Sequence, residues 1–347
     1  MSQLKTLTLL AILVFGFYEC TKNNFEGPSL SELYSELEII DSLQISNTNP
    51  DFSTGDLVKF YCKLNRNVDW KINIRGLSSN SFKEFNGFSS TIDSNSINWN
   101  GSCQELPFFE IENCAVALTF LNEPDTLRDT ISVQGLKNYD DGIVVADFEN
   151  GAPPPNAVVY KEPNGANMTF FAENDNPLLG NHYFKMGGRV NWDWLLGSID
   201  IPLNLPFVSS SAENFFINIG VLSGINGEFA TNQFINIFIS ESNYPFNDNL
   251  SNNGADVFDD SMEVYKYQIK PVDWIGWELT SVSYDQFEIK GVAGGNNIKE
   301  PSKIKAIRIQ CQACPFNSGN CPDNGTIEVR TDIDHVVFTE NGGILEQ

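Results

Sequence analysis

Between Asp56 and Gly135 apolar side chains recur at every second position, as in Phe60, Cys62 and Leu64 or Ile72 and Ile74, and clusters of turn-forming residues interrupt each run. A period of two puts such residues on one face of a strand, because successive side chains point to opposite sides of the pleat. The segments DLVKFYCKL, DWKINIRGL, SINWNG, CAVALTFL and DTISVQG therefore read as strands, and about 90 residues with this rhythm fit a small β-sandwich. After the polar break GLKNYDDG at 135–142 the strands lengthen: IVVADFE, HYFKMGG, RVNWDWLL, ENFFINIGVL, FINIFISES, MEVYKYQI, GWELTSVSY, KIKAIRIQC and TIEVRTDIDHVVFTE. No helical period separates them, and that many strands in about 200 residues imply a jelly roll. Twenty-six Phe and 26 Gly, with many Asn, Ser and Asp, agree with strands and turns. At 347 residues two globular units are expected. The predicted fold is all-β, with a sandwich over 50–136 followed by a jelly roll over 141–347.

The N-terminus reads differently. Lys5 precedes the apolar run LTLLAILVFGF, too short for a permanent membrane span and right for a signal peptide over residues 1–19. Cys20 stands where bacterial lipoprotein precursors carry their lipidated cysteine, although Glu19 occupies a position that is normally small. The resemblance implies a lipid anchor at Cys20, with residues 20–49 as the lipidated cysteine and tether; plain secretion is the alternative. Of seven cysteines, lipidation of Cys20 leaves six, three in each half. In an exported protein a Cys314–Cys321 loop staple is expected. The CxxC spacing of Cys311 and Cys314 also fits a zinc site, with His335 as the nearby further ligand. Partners for Cys62 and Cys311 stay open, buried free thiols included.

Forty-five acids against 21 bases give a net charge of −24, which repels phosphate backbones and disfavours polyanionic glycans. No nucleic-acid partner is expected.

Residues 50–136 resemble the immunoglobulin-like or PKD-type modules of surface proteins, which implies a spacer. In the second half VVADFENG, YFKMGG, PVDWIGWELTSVSYDQF, IKAIRIQC and TDIDHVVF occur in the order seen in galactose-binding-like β-jelly rolls, the fold of many carbohydrate-binding modules. That resemblance implies a structural Ca²⁺ held by Asp147, Glu149 and Asp334, and a core role for Trp277. It also admits a protein-binding role.

Catalytic groups are scarce. There are two histidines, and GxSxG, HExxH and phosphate-loop motifs are absent. NHYFKMGG resembles a tyrosine-bearing strand of alginate-type lyases, without the companion motifs, so the chain reads as non-catalytic. Sugar rings stack on aromatic faces while their hydroxyls need planar polar partners. Trp192 and Trp194 share one strand face with Val190 and Leu196, and Arg189, Asn191 and Asp193 share the other. Whichever face looks away from the core carries sugar-compatible groups, and Trp274, two positions before Gly276, adds a further aromatic. The expected function is a cell-surface, outer-membrane lipoprotein that captures neutral polysaccharide. The alternative is an accessory subunit of an outer-membrane protein complex.

Overall fold

The computed structural model describes residues 36–346 except 94, 96, 162–168, 174–175, 190–194, 207, 209, 224–232, 243–245, 247–261, 291–294 and 314–327. Among the described residues the chain is all-β, with 18 strands, short 3-10 turns and no α-helix.

The first six strands are β1 (Ile39–Ile45), β2 (Val58–Gly76), β3 (Phe82–Ile92), β4 (Asn98–Trp99), β5 (Asn113–Phe120) and β6 (Thr126–Ser132). They form one antiparallel sheet in the order β1-β2-β5-β6, with β3 and β4 also on β2. β2 runs for 19 residues where the alternation alone predicts two strands. The intervening residues stay extended because Asn65 is paired: its N–H donates to the Glu38 carbonyl and its side-chain oxygen accepts the Glu38 N–H, both at 3.1 Å. Lys63 lies opposite Thr91 and Val68 opposite Ser89, so five steps of β2 match two of β3. Such a bulge bends a strand. The first half of β2 therefore pairs with β1 and β4, the second with β5, and the sheet curls over its own core. Trp99 sits in that core, edge-on to Phe52 at 4.8 Å and to Phe109 at 5.0 Å.

β1 lies inside the stretch 20–49 assigned to the tether, so the fold starts earlier than the pattern indicates. Asp41 on its inward side hides the alternation, and the carboxylate accepts the Tyr61 hydroxyl at 3.1 Å.

The remaining strands are β7 (Ile143–Ala146), β8 (Val158–Lys161), β9 (Thr169–Glu173), β10 (Tyr183–Arg189), β11 (Leu195–Pro202), β12 (Phe215–Ser223), β13 (Phe234–Ser240), β14 (Val264–Ile269), β15 (Gly276–Ser283), β16 (Glu288–Ile289), β17 (Ala306–Gln312) and β18 (Glu328–Glu340). They make two antiparallel sheets. One has the order β15-β12-β18-β10-β9 with β7 on β18; the other is β16-β14-β13-β17-β11-β8. Between them lies the larger core, to which Ile217, Ile219 and Phe338 contribute from the first sheet and Ile199, Ile237 and Ile309 from the second. Each such side chain contributes about 1.5–3 kcal/mol by leaving water. This is the sandwich of two sheets that the strand rhythm predicts.

Tyr139 joins the units. It is buried in the polar break, its ring 4.2 Å from that of Phe108, and it packs on Val337 and Ile344 of the C-terminal unit. Its carbonyl accepts a hydrogen bond from His335 Nε2 at 3.2 Å.

Cys62, Cys103, Cys114 and Cys311 are buried thiols. Burial pushes the Cys311 thiol up to about 12, which disfavours the thiolate a metal requires. Cys314 and Cys321, the expected staple, lie outside the described residues.

Candidate functional site

Strands β11, β13 and β17 run side by side in the middle of the second C-terminal sheet. Their core face is aliphatic: Ile199 and Ile201, then Ile235, Ile237 and Ile239, then Ile307 and Ile309. Alternation sends the other residues of SIDIP, FINIFIS and IRIQCQ to the opposite face, and most of these are polar. Register aligns them in rows. Tyr160 on β8, Ser198, Gln310, Asn236 and Gln268 on β14 form one row across five strands. Asp200, Arg308, Phe238, Lys266 and Glu288 on β16 form the next.

The middle of this face is sealed. Ser198, Asn236 and Gln310 are fully buried, and Arg308 is 1% exposed. Arg308 Nε and Nη2 donate to the two carboxylate oxygens of Asp200, each at 2.6 Å, and the Phe246 ring lies 4.6 Å from the guanidinium. Asn236 Nδ2 donates to Gln312 Oε1, and Gln268 Nε2 donates to Asn236 Oδ1 at 2.8 Å. Ser198 Oγ has no hydrogen-bond partner among the described residues. Stability does not explain such a face. A buried ion pair replaced by apolar residues of similar volume often leaves a protein equally or more stable, whereas breaking one costs about 3–5 kcal/mol.

Toward the β14–β16 edge the face opens. Lys266, Tyr267, Gln268, Gln286 and Glu288 line a groove of about 320 Å³. Exposed carboxamides, an ammonium and a carboxylate stand there beside the ordered interior rows, a set that donates to and accepts from hydroxyl groups. Neither histidine is on this face, since His182 follows a loop and His335 lies on β18, and Asp200 is held by Arg308. The arrangement offers both donors and acceptors to polar groups.

Asn191, Trp192, Asp193 and Trp194 lie outside the described residues. Arg189 closes β10 opposite Glu328, in the other sheet. Trp274 is half-buried against the core, and its indole N–H donates to the Val221 carbonyl at 3.2 Å, so it serves packing. Trp277, expected in the core, is half-buried outside it: Tyr183 meets it edge-on at 5.5 Å, and with Phe108, Tyr139 and Ile275 it lines a cleft of about 590 Å³ between the two units. Tyr183, the residue behind the lyase resemblance, is buried and donates to Glu173 at 3.2 Å while accepting from Arg330 at 2.9 Å. Burial pushes its hydroxyl up to about 12, far from a base poised at neutral pH.

The acids expected to hold calcium have other partners. β18 bulges at Asp334, and His335 takes a positive φ of 49°. Asp334 accepts the N–H groups of Leu178, Leu179 and His335 at 2.9, 3.2 and 2.7 Å. Glu149 accepts those of Asn181 and His182 at 2.9 and 3.1 Å, and Asp147 accepts the Glu149 N–H at 3.2 Å. These carboxylates fasten the 177–182 loop, and among the described residues no three such side chains converge as metal ligands. The sequence signal for the polar rows is the Ser, Asp, Asn, Arg and Gln that alternate with isoleucine in SIDIP, FINIFIS and IRIQCQ.

No protein-family model matches the chain, and no curated protein does. Solved structures similar to it include a family 30 carbohydrate-binding module, 10% identical with a TM-score of 0.36, covering 59% of this chain and 92% of that one. The CBM22-2 xylan-binding domain from Paenibacillus barcinonensis is 15% identical with a TM-score of 0.31, covering 56% and 97%. The K1 cleaved adhesin domain of Lys-gingipain from Porphyromonas gingivalis W83 is also 15% identical with a TM-score of 0.31, covering 57% and 97%. A likeness of this degree carries no inference about what the present chain binds.

Proposed function

We propose that the chain is a non-catalytic glycan-binding protein of the cell surface. In this reading it is exported, anchored in the outer membrane through Cys20, and captures neutral polysaccharide in the groove where the polar face opens at the β14–β16 edge. The supporting observation is the pair of ordered polar rows, which cross the sheet and end in the open groove at Lys266, Gln268, Gln286 and Glu288. The exposed amides of Gln268 and Gln286, the first held by the buried row through Asn236, suit the hydroxyls of a sugar, and the charge of −24 selects against acidic ones. The immunoglobulin- or PKD-like N-terminal unit stands between anchor and site.

A glycan array probed with full-length protein tests the reading. Binding to neutral glycans is expected, weakened about 5- to 100-fold by combined Gln268→Ala and Lys266→Ala, equivalent to two hydrogen bonds. Binding that ignores both substitutions contradicts this site. Cys20→Ala is expected to move the protein from the membrane to the soluble fraction; a variant that stays with membranes contradicts the anchor.

A further inference from the structure

The N-terminal unit carries a concave surface that the spacer role leaves unused. On the outer face of β3, β2 and β5, register places Phe88 beside Asp69 and Asn86 beside Lys71, with Lys71 opposite Thr119 on β5. Leu121 follows β5 and donates its N–H to the Asp69 carbonyl at 2.9 Å, which puts it beside Asp69 on the side away from Phe88. Phe88 is 66% exposed and Leu121 60%, so two large apolar side chains flank one carboxylate at the surface. With Asn122 these residues line a groove of about 710 Å³, within the range of small-ligand sites.

The groove rests on a rigid base. Trp70, buried beneath it, donates its indole N–H to Ser89 Oγ at 3.0 Å. Its ring lies across Gly87, where an added Cβ would come within 2.4 Å of Trp70 Cζ2. A side chain at Gly87 is therefore excluded, and the β2–β3 pair that presents Phe88 is held in place.

We infer that this groove is a second glycan site, taking the pyranose rings of a neutral polysaccharide. The chemistry of the lining chooses the ligand. A protein partner of ordinary size would seat on a contiguous apolar patch. Here Phe88 and Leu121 are separated by Asp69 and followed by Asn86, Lys71, Thr119 and Asn122, so apolar and polar groups alternate at the spacing of one strand. A sugar ring has the matching character, with an apolar CH face for the Phe88 ring and hydroxyls for carboxylate and amide. Asp69 and Lys71 balance in charge, and Lys71 also pairs with Glu84 at 2.9 Å, which leaves no surplus positive charge for an acidic glycan. The site is independent of the polar face of the C-terminal unit. The two together make the chain bivalent, so that a polysaccharide long enough to reach both gains from effective concentration.

Isothermal titration of full-length protein with cellohexaose, xylohexaose, laminarihexaose and mannohexaose tests the inference. At least one of these is expected to bind at two sites per chain. Phe88→Ala should reduce this to one site, or weaken the second by about 5- to 100-fold as lost stacking partners do, with the melting temperature unchanged because Phe88 is exposed. Asn86→Ala should weaken the same site. Gln268→Ala with Lys266→Ala should leave it intact. Binding by Phe88→Ala and Asn86→Ala with wild-type stoichiometry and affinity overturns the inference while leaving the C-terminal site standing. Loss confined to the Phe88 and Asn86 variants supports the groove and removes the C-terminal reading. Failure of all four oligosaccharides to bind overturns both.

Discussion

Strand β2 in the N-terminal unit and strand β17 in the C-terminal unit carry the same alternation, and they bury it differently. In β2 Phe60, Cys62, Ile72 and Ile74 are buried while Lys63, Asp69 and Lys71 are exposed. In β17 all seven residues from Ala306 to Gln312 are buried, Arg308 and Gln310 included. Period two fixes which side chains share a face, but not whether the second face meets solvent. A face that is both polar and sealed is costly to build. Its presence in the C-terminal unit, and its absence from β2, marks the former as shaped for something other than stability.

The largest expected effect follows from the ion pairs. Arg308→Ala leaves Asp200 charged and buried, and it should cost about 3–5 kcal/mol in urea denaturation. Joint replacement, Arg308→Met with Asp200→Leu, should recover most of that loss. If the single substitution costs no more than removal of an exposed lysine, the face is not sealed and the contrast collapses.

Next comes pH, to which the two units should respond in different windows. Burial pushes Glu241 up to about 7, with the nearby charges of Glu263 and Glu300 adding to it against hydrogen bonds from Tyr284 and the Glu300 N–H. A carboxyl raised above its ordinary 4.5 contributes stability fully below pH 4.5 and loses it as pH rises through 7. In the N-terminal unit burial of Glu112 acts upward too, but the Ser79 hydroxyl and the N–H groups of Ser78, Ser79 and Glu110 outweigh it and hold the carboxyl below 4.5. Its contribution is present above pH 4.5 and lost on further acidification. Between pH 7.5 and 5.5 the C-terminal strands should gain about 1–2 kcal/mol of protection in amide hydrogen exchange while the N-terminal strands hold steady. Glu241→Gln should remove its share of the gain and leave that of Asp334 and Asp332, which burial pushes up to about 7 and about 6; a gain unchanged by the substitution assigns the effect to those two alone.

The smallest effect is the control. Lys71→Ala breaks an exposed pair with Glu84 and should change stability by less than about 1 kcal/mol. A larger loss would show that the outer face of β2 is not the open surface contrasted with β17.

The strands and their core faces were legible because isoleucine at every second position leaves little choice of fold. The bend in β2 was not, since nothing local announces that Asn65 pairs with Glu38. Nor was the engagement of Asp334 and Glu149 by the 177–182 loop, which depends on contacts across more than 150 positions for Asp334. The polar rows were half legible: FINIFIS and IRIQCQ show amide and arginine opposite isoleucine, but only strand order brings Asn236, Gln310 and Ser198 into one line. Trp277 is expected in the core from the resemblance to galactose-binding-like jelly rolls, whereas its strand turns it toward the cleft between units.

The most direct test of glycan capture on the polar face is to follow the side-chain amide resonances of Gln268, Gln286 and Asn236 during titration with a neutral glycan that the full-length protein binds. The account predicts that Gln268 and Gln286 shift in proportion to occupancy and that Asn236, hydrogen-bonded to Gln268, follows. Saturable binding with these three resonances unmoved would contradict it.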